Sequence, residues 1–379
     1  MQLLNRKLGY MMLWVVGLLT SSNVMAEYAL NMTPGVTQVS RDVFWLHSIT
    51  LWFCVVIGVA VFAVMIYSLI FHRKSKGAVA SQFHESTAVE IAWTVIPFLV
   101  LVGLAVPATK VLISLEDTSD SDLSIKVTGF QWKWQYEYLD EGISFFSNLA
   151  DESRAASGVG DDPTEVENYL LDVDNRVVIP VNKKVRFLIT ANDVIHSWWV
   201  PALGWKQDAV PGFINTAWTR VEEPGVYRGQ CAELCGKDHG YMPIVLEAKS
   251  EADYAAWVVE QQAAAAATSA SAGKTWALDE LIAKGEQVYN TNCAACHQPN
   301  GQGIPPAFPS LVASPIQQGP ASDHVSVVAN GRPGTAMQAF GLQLSDVDVA
   351  SVVTYTRNAW GLDSGDIVQP ADVKAAASR

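Results

Sequence analysis

Two uninterrupted apolar runs constrain what this chain can become. Residues 43–71 and 91–109 contain no Lys, Arg, Asp or Glu, and the first exceeds the roughly 20 residues that a membrane-spanning helix needs. In a bilayer, backbone polar groups must pair internally, so such runs are predicted to be helices. The short loop between them carries Arg73, Lys74 and Lys76. Basic loops stay on the cytoplasmic side, which predicts a helical hairpin with both ends outside. Residues 1–26 agree with that topology. Arg6 and Lys7 form a charged start, residues 8–19 an apolar stretch, and Val24-Met25-Ala26 a small-residue cleavage site, the pattern of a secretory signal. An uncleaved anchor is the alternative, but the stretch is short for a span; with cleavage the mature chain starts at Glu27.

Within the second run, Pro97 and Pro107 predict kinks, tolerated where neighbouring helices satisfy the freed carbonyls. Glu90 sits at its cytoplasmic start. A helix dipole favours a carboxylate there, and a carboxylate at a membrane also suits proton relay; the sequence leaves both open. Cys54, inside the first run, is expected to be an inert thiol facing apolar surroundings.

The 379 residues leave room for two further domains, and a mean hydropathy of +0.16 is in keeping with membrane segments. The formal charge of −13 excludes a nucleic-acid surface and favours basic partners. From Leu123 onward the pattern turns to short β-like runs. The stretch 131–138, Gln-Trp-Lys-Trp-Gln-Tyr-Glu-Tyr, alternates strictly, which predicts a half-buried strand with four aromatics on one face. A polar insertion follows around residues 151–167, and further strands are predicted at 177–179, 184–190, 216–221, 225–228 and 243–248. Short strands with Pro/Gly turns predict an antiparallel sandwich.

Between the last two of these lies Cys231-Ala-Glu-Leu-Cys235-Gly-Lys-Asp-His239-Gly-Tyr-Met242. Two thiols, an imidazole and a thioether in twelve residues form a soft ligand set that suits copper better than calcium, magnesium or manganese. Zinc sites close with four Cys or His ligands, so the methionine points away from zinc. His196 is the only other histidine of this region. Two Cys, two His and one Met are too many for one blue-copper ion; two coppers bridged by both thiolates use all five.

Residues 261–273 are a low-complexity, Ala-rich stretch, predicted as a semi-flexible linker that is helical at its start. Beyond it an amphipathic helix at 278–289 leads into Cys293-Ala-Ala-Cys296-His297, the signature of c-type haem attachment. A redox thiol pair or partial zinc site is the alternative. Met337 is the one methionine after His297, and a Met/His axial pair raises haem potential in cytochromes c; His324 competes for that position. A last helix is predicted from Ser345-Asp-Val-Asp348, a capping box with Asp in place of Glu, to about Asn358.

Taken together, the hairpin, the aromatic strand, the His196-Ser-Trp segment, the C-x3-C-x3-H-x2-M loop and the haem module resemble subunit II of a haem-copper cytochrome c oxidase with a fused C-terminal cytochrome c domain. The resemblance covers essentially the whole chain. It implies a two-helix transmembrane hairpin, a cupredoxin-like antiparallel β-sandwich and an all-α class I cytochrome c domain. The corresponding layout is a signal peptide (1–26), an N-terminal segment with the hairpin (27–118), a copper domain (119–250), a linker (251–276), a cytochrome c domain (277–364) and a tail (365–379).

Carried over by matching position, Cys231 and Cys235 bridge a dinuclear Cu(A) centre, with His196, His239, Met242 and the Glu233 carbonyl completing it. The Glu233 side chain matches a ligand of magnesium at the interface with subunit I, Trp132 the site where cytochrome c hands over electrons, and Glu90 the mouth of a proton pathway. The implied cofactors are two coppers, haem c and interfacial magnesium. The implied partners are subunit I and other membrane subunits, a soluble or membrane-bound cytochrome c or other donor, and the lipid bilayer, with no nucleic acid. The implied location is the bacterial inner membrane, with both redox domains on the periplasmic side, and no oxygen-reducing site lies in this chain. A membrane-anchored copper-delivery protein is the rival reading; a nitrous oxide reductase needs a large further domain for which no stretch is free.

Overall fold

The computed structural model describes residues 31–377 apart from 34, 81, 83, 158–161, 272, 313, 342 and 363. The expected signal sequence and Glu27 lie outside the described residues. The chain divides into two compact units, Met1–Asp117 with Pro201–Trp205, and Thr118–Val200 with Lys206–Arg379.

The first unit holds two long helices, α1 (Gln38–Phe71) and α2 (Thr87–Glu116). At 1.5 Å per residue these 34- and 30-residue helices extend roughly 51 and 45 Å, beyond the ~30 Å hydrocarbon core. Their apolar side chains face outward: Trp52, Val56, Val64 and Leu69 of α1 and Ile96, Leu101 and Ile113 of α2 are all more than half exposed. A water-soluble fold would bury such surface; a bilayer does not require it. Thr37 and Ser40 cap α1 reciprocally, each hydroxyl accepting the other's backbone N–H. The Thr37 hydroxyl also donates to the Leu203 carbonyl, which ties the helix start to the short Pro201–Trp205 segment. α2 runs unbroken through Pro97 and Pro107.

The second unit contains a ten-stranded sandwich: β1 (Leu123–Phe130), β2 (Lys133–Tyr138), β3 (Ile143–Ser147), β4 (Val177–Pro180), β5 (Val185–Ala191), β6 (His196–Trp199), β7 (Lys206–Ala209), β8 (Asn215–Thr219), β9 (Gly225–Cys231) and β10 (Pro243–Lys249). One sheet runs β3-β2-β1-β5-β8 and the other β4-β10-β9-β6-β7. Most pairs are antiparallel, but β1 pairs β5, and β10 pairs β4, in parallel. Side-chain alternation fixes which face is buried, not the direction of the neighbouring strand. Between the sheets lie Ile125, Val127, Trp134, Tyr136, Phe187, Ile189, Trp198, Ile244 and Leu246, all essentially inaccessible. Their polar tips are satisfied across the gap. The Tyr138 hydroxyl donates to the Val178 carbonyl (2.7 Å) and accepts its N–H (2.8 Å), while the Trp198 indole donates to the Tyr136 hydroxyl (3.2 Å).

The expected strand over residues 131–138 needs correction at its start. β2 begins at Lys133, and Trp132 lies in the turn after β1. Trp134, Tyr136 and Tyr138 form the buried aromatic face, whereas Lys133, expected on the polar face, is only 5 % exposed.

The polar insertion opens with the short helix α3 (Asp151–Ala155). After β10 the chain enters α4 (Glu251–Ser271), a continuous 21-residue helix where a semi-flexible linker was expected. Alanine has the highest helix propensity, and the first turns are held on the sandwich: Trp257 packs on Tyr138 and Phe145, and the Tyr254 hydroxyl donates to Glu141 (3.1 Å).

Six helices follow: α5 (Leu278–Asn292), α6 (Ala294–His297), α7 (Pro315–Gln318), α8 (Ala321–Asn330), α9 (Asp346–Asn358) and α10 (Pro370–Ala377). α9 starts at the Ser345/Asp348 capping box expected from sequence. It crosses α5 at Gly285, where a Cβ would stand 2.1 Å from the Ser351 carbonyl oxygen; only hydrogen fits there. Of the residues expected as a tail, the described ones, 365–377, belong to this module, since Val368 and Val373 are buried in one cluster with Tyr289, Val325, Val349 and Val353.

Candidate metal and haem centres

Adjacent antiparallel strands hold the sulfur-rich loop at both ends. Cys231 closes β9, and buried Met242 directly precedes β10. His196 opens β6, which pairs with β9. This brings the His196 nitrogen and the Cys231 and Cys235 sulfurs within 4.8 Å of one another, all buried. Cys231 Sγ lies 3.8 Å from Cys235 Sγ, 3.9 Å from His196 Nδ1 and 3.4 Å from the Glu233 carbonyl. Cys235 Sγ lies 3.4 Å from His239 Nδ1 and 3.5 Å from Met242 Sδ. The two halves are alike: each sulfur faces one imidazole Nδ1 and one weaker donor, the Glu233 carbonyl or the Met242 thioether. The Glu233 side chain itself is exposed.

Two neighbours orient this site, and sequence reasoning did not single out either. Asp193 Oδ1 lies 2.9 Å from His196 Nε2, which fixes the tautomer and leaves Nδ1 to face Cys231. Asp-x-x-His spacing ahead of a strand was the available signal. Gly129 lets the His196 ring in, since a Cβ there would meet its Cδ2 at 2.8 Å.

The charges point the same way. Burial opposes protonation of His196, but the Asp193 carboxylate and the Cys231 sulfur outweigh it and raise the imidazole. The hydrogen bond from Cys235 holds Cys231 down at about 4, and Cys235 is pushed up in return. The pair therefore loses its first proton easily and its second only with difficulty. A bound cation removes that difficulty, because a coordinating thiol is deprotonated outright. The chemistry of this donor set, soft sulfurs with imidazole nitrogens, fits copper.

In the helical module, Cys293 follows α5, and Cys296 and His297 lie on α6. His297 Nδ1 lies 3.0 Å from the Pro309 carbonyl, which makes Nδ1 the donor and leaves Nε2 with its lone pair. Burial lowers the imidazole below its ordinary range, so it stays neutral as an iron ligand must. The segment after it is pinned by Tyr289, whose hydroxyl donates to the Gln298 carbonyl (2.6 Å), and by Trp360, whose indole donates to the Pro299 carbonyl (3.1 Å). Met337 is half-buried in a loop whose turn is closed by the Arg332 N–H on the Met337 carbonyl (2.9 Å). His324 is buried on α8, and its Nδ1 has no hydrogen-bond partner among the described residues. These residues fit a covalently held haem c.

Trp132 is half-buried, with its indole N–H donating to the Cys235 carbonyl (3.1 Å). In the first unit, Glu90 lies in the first turn of α2 and accepts the Ser86 N–H at 3.4 Å. Cys54 is exposed on α1.

Comparison with known proteins agrees segment by segment. Residues 25–111 match the family described as cytochrome C oxidase subunit II, transmembrane domain, and residues 123–249 match its periplasmic domain. Residues 280–355 match cytochrome C oxidase, cbb3-type, subunit III. The probable cytochrome c oxidase subunit 2 of Rickettsia prowazekii is 41 % identical over 246 residues, 64 % of this chain and 76 % of that protein. The cytochrome c oxidase subunit 2 of Cereibacter sphaeroides is 39 % identical over 236 residues, 59 % of this chain and 78 % of that one. The crystal structure of the periplasmic domain of subunit II of cytochrome oxidase of Bradyrhizobium japonicum is 40 % identical, covering 38 % of this chain and 96 % of that one with a TM-score of 0.34. The chain belongs to the cytochrome c oxidase subunit II family. Within it, this is a membrane-anchored subunit II with a C-terminal cytochrome c domain.

Proposed function

We propose that this chain is the subunit through which electrons reach a cytochrome c oxidase of a bacterial inner membrane, with its copper and haem domains on the periplasmic side. With haem c and copper bound, the helical module and the sulfur loop would carry single electrons from an outside donor toward the haem of subunit I, where oxygen would be reduced to water with proton translocation. Bound haem c and the copper pair supply one-electron carriers whose oxidation state changes with little ligand movement.

The chain's own residues do the holding. Cys293 and Cys296 would attach the porphyrin of haem c, and His297 and Met337 would hold its iron. Cys231 and Cys235 would hold the two coppers between them, and His196, His239, Met242 and the Glu233 carbonyl would complete the donor set. The exposed Glu233 carboxylate would hold a magnesium ion at the face toward subunit I. Glu90 marks the mouth of a proton pathway, and Trp132 marks the point where electrons reach the copper domain. The helical tether keeps donor and acceptor at high local concentration.

One observation carries this reading: both thiols face each other while each also faces a histidine Nδ1. Delivery sites favour few-ligand, exchangeable copper, so this arrangement disfavours the copper-delivery rival.

Cys235→Ser is expected to abolish the two-copper stoichiometry and its dinuclear spectrum while haem c stays reducible. Two tightly held coppers with normal spectra in that variant would refute the bridging role. Met337→Ala is expected to lower the haem potential by a sizeable part of the roughly 0.8 V that axial ligands span. Redox titration reads this, and an unchanged potential moves the sixth ligand to His324.

A further inference from the structure

The turn between β1 and β2 does work that neither redox centre explains. Lys133 opens β2 and is almost fully buried, yet no carboxylate pairs with it among the described residues. Its Nζ donates to Asn292 Oδ1 at 2.7 Å and lies 4.6 Å from the centre of the Phe146 ring and 5.8 Å from that of Phe340. Phe146 belongs to the sandwich; Asn292 and Phe340 belong to the haem module. Asn292 Nδ2 donates to the Val288 carbonyl of its own helix (3.0 Å), which turns Oδ1 toward the lysine.

A second contact lies beside the first. Gln338 Nε2 donates to the Gln131 carbonyl at 3.3 Å. The Gln131 N–H donates to Asp193 Oδ2 (2.7 Å), whose other oxygen meets His196, and its side-chain amide donates to the Cys235 carbonyl (2.8 Å). Asn292 adjoins Cys293, and Gln338 adjoins Met337. Both flanks of the haem-binding chain therefore rest on the stretch 131–133, in which Gln131 and Trp132 are themselves bonded to the Cys235 carbonyl of the copper loop.

We infer that residues 131–133 are the seat on which the tethered haem module docks, with Lys133 as its positioning pin. A lysine placed here without the module would be hydrated. With the module seated, an amide oxygen and two ring faces replace that water, and cation–π attraction is strongest when desolvated. Burial lowers the Lys133 ammonium to about 8, which leaves it largely charged at neutral pH. The step served is a single electron leaving the reduced module, which is oxidised, and reducing the copper loop; no bond is made or broken. Lys133 touches neither centre and acts by holding the donor in place.

The test uses the intact chain in its assembled oxidase. Hydroxyl-radical footprinting reads protection of Phe146 and Phe340, the two rings that flank Lys133, and flash-initiated kinetics reads transfer from module to copper. Lys133→Met, and separately Asn292→Ala on the module side, should raise labelling of both aromatics. They should also slow transfer roughly tenfold or more, as misplaced partners do. Lys126→Met, on the neighbouring strand and paired with Glu137, should change neither. Protection that survives both substitutions overturns the seat, and lost protection with unchanged transfer overturns the positioning role. The inference rests on the proposed electron relay for the kinetic readout alone. A failure of the Cys235→Ser test would leave the footprint result standing.

Discussion

The two candidate redox sites are built in opposite ways. At the copper loop, paired strands hold the donors, and three of the ligand atoms already lie within 4.8 Å of one another. In the haem module Cys293 caps the end of one helix and Cys296 lies inside the next, while Met337 waits on a separate half-buried loop. A sheet bonded on both sides fixes side-chain positions through its ladder, whereas short helices depend on side-chain packing alone. The copper site should therefore tolerate damage to the helical module, while the helical module should respond sharply to changes in its own core.

Gly285→Leu should separate the two most strongly. The added side chain has to displace the Ser351 backbone of α9, at a cost of about 3 kcal/mol or more. Haem incorporation should collapse while metal analysis still finds two coppers; loss of both would show that the sandwich leans on the module.

Acid should sharpen the contrast. Burial, with Arg357 nearby, lowers His324 from 6.5 to about 4. Between those values the unfolded chain binds more protons than the folded one, so module stability falls as pH drops from about 6.5 toward 4. One unit is worth about 1.36 kcal/mol, so the loss approaches about 3 kcal/mol. Chemical denaturation of the module at pH 7 and pH 4.5 measures it, and His324→Leu should flatten the dependence.

The smallest effect should appear at the copper end. Asp193→Asn keeps the shape but removes the charge that holds His196 Nε2, and should weaken copper binding about 10- to 100-fold, read by competition with a chelator. An unchanged affinity would mean that the sheet alone orients the ring.

Sequence legibility followed the same division. Periodicity and ligand spacing located the hairpin, most strands, the sulfur loop, the C-x-x-C-H motif and the capped helix at Ser345, because each is a local pattern. Long-range features were not legible. The pairing of β1 with β5 joins residues some 60 apart, and two of the three partners that cover Lys133, Asn292 and Phe340, lie on a different module. Asp193 was in plain view but gains meaning only once β6 turns His196 back against it. Residues 365–379 read as a terminal tail, yet Val368 and Val373 complete a core laid down elsewhere.

The tether adds a constraint of its own, because a helix has a phase. α4 is tied to the sandwich at Tyr254 and Trp257. At its far end the Trp276 indole donates to the Ser271 carbonyl, and the Trp276 N–H donates to Gln369 of the module. Each residue added or removed between those ties turns the downstream module by about 100° and shifts it by about 1.5 Å. Insertions of one or two residues would thus aim the module away, whereas seven, close to two full turns, would nearly restore its bearing. The length of this alanine run acts less as a measure of reach than as the setting of a dial.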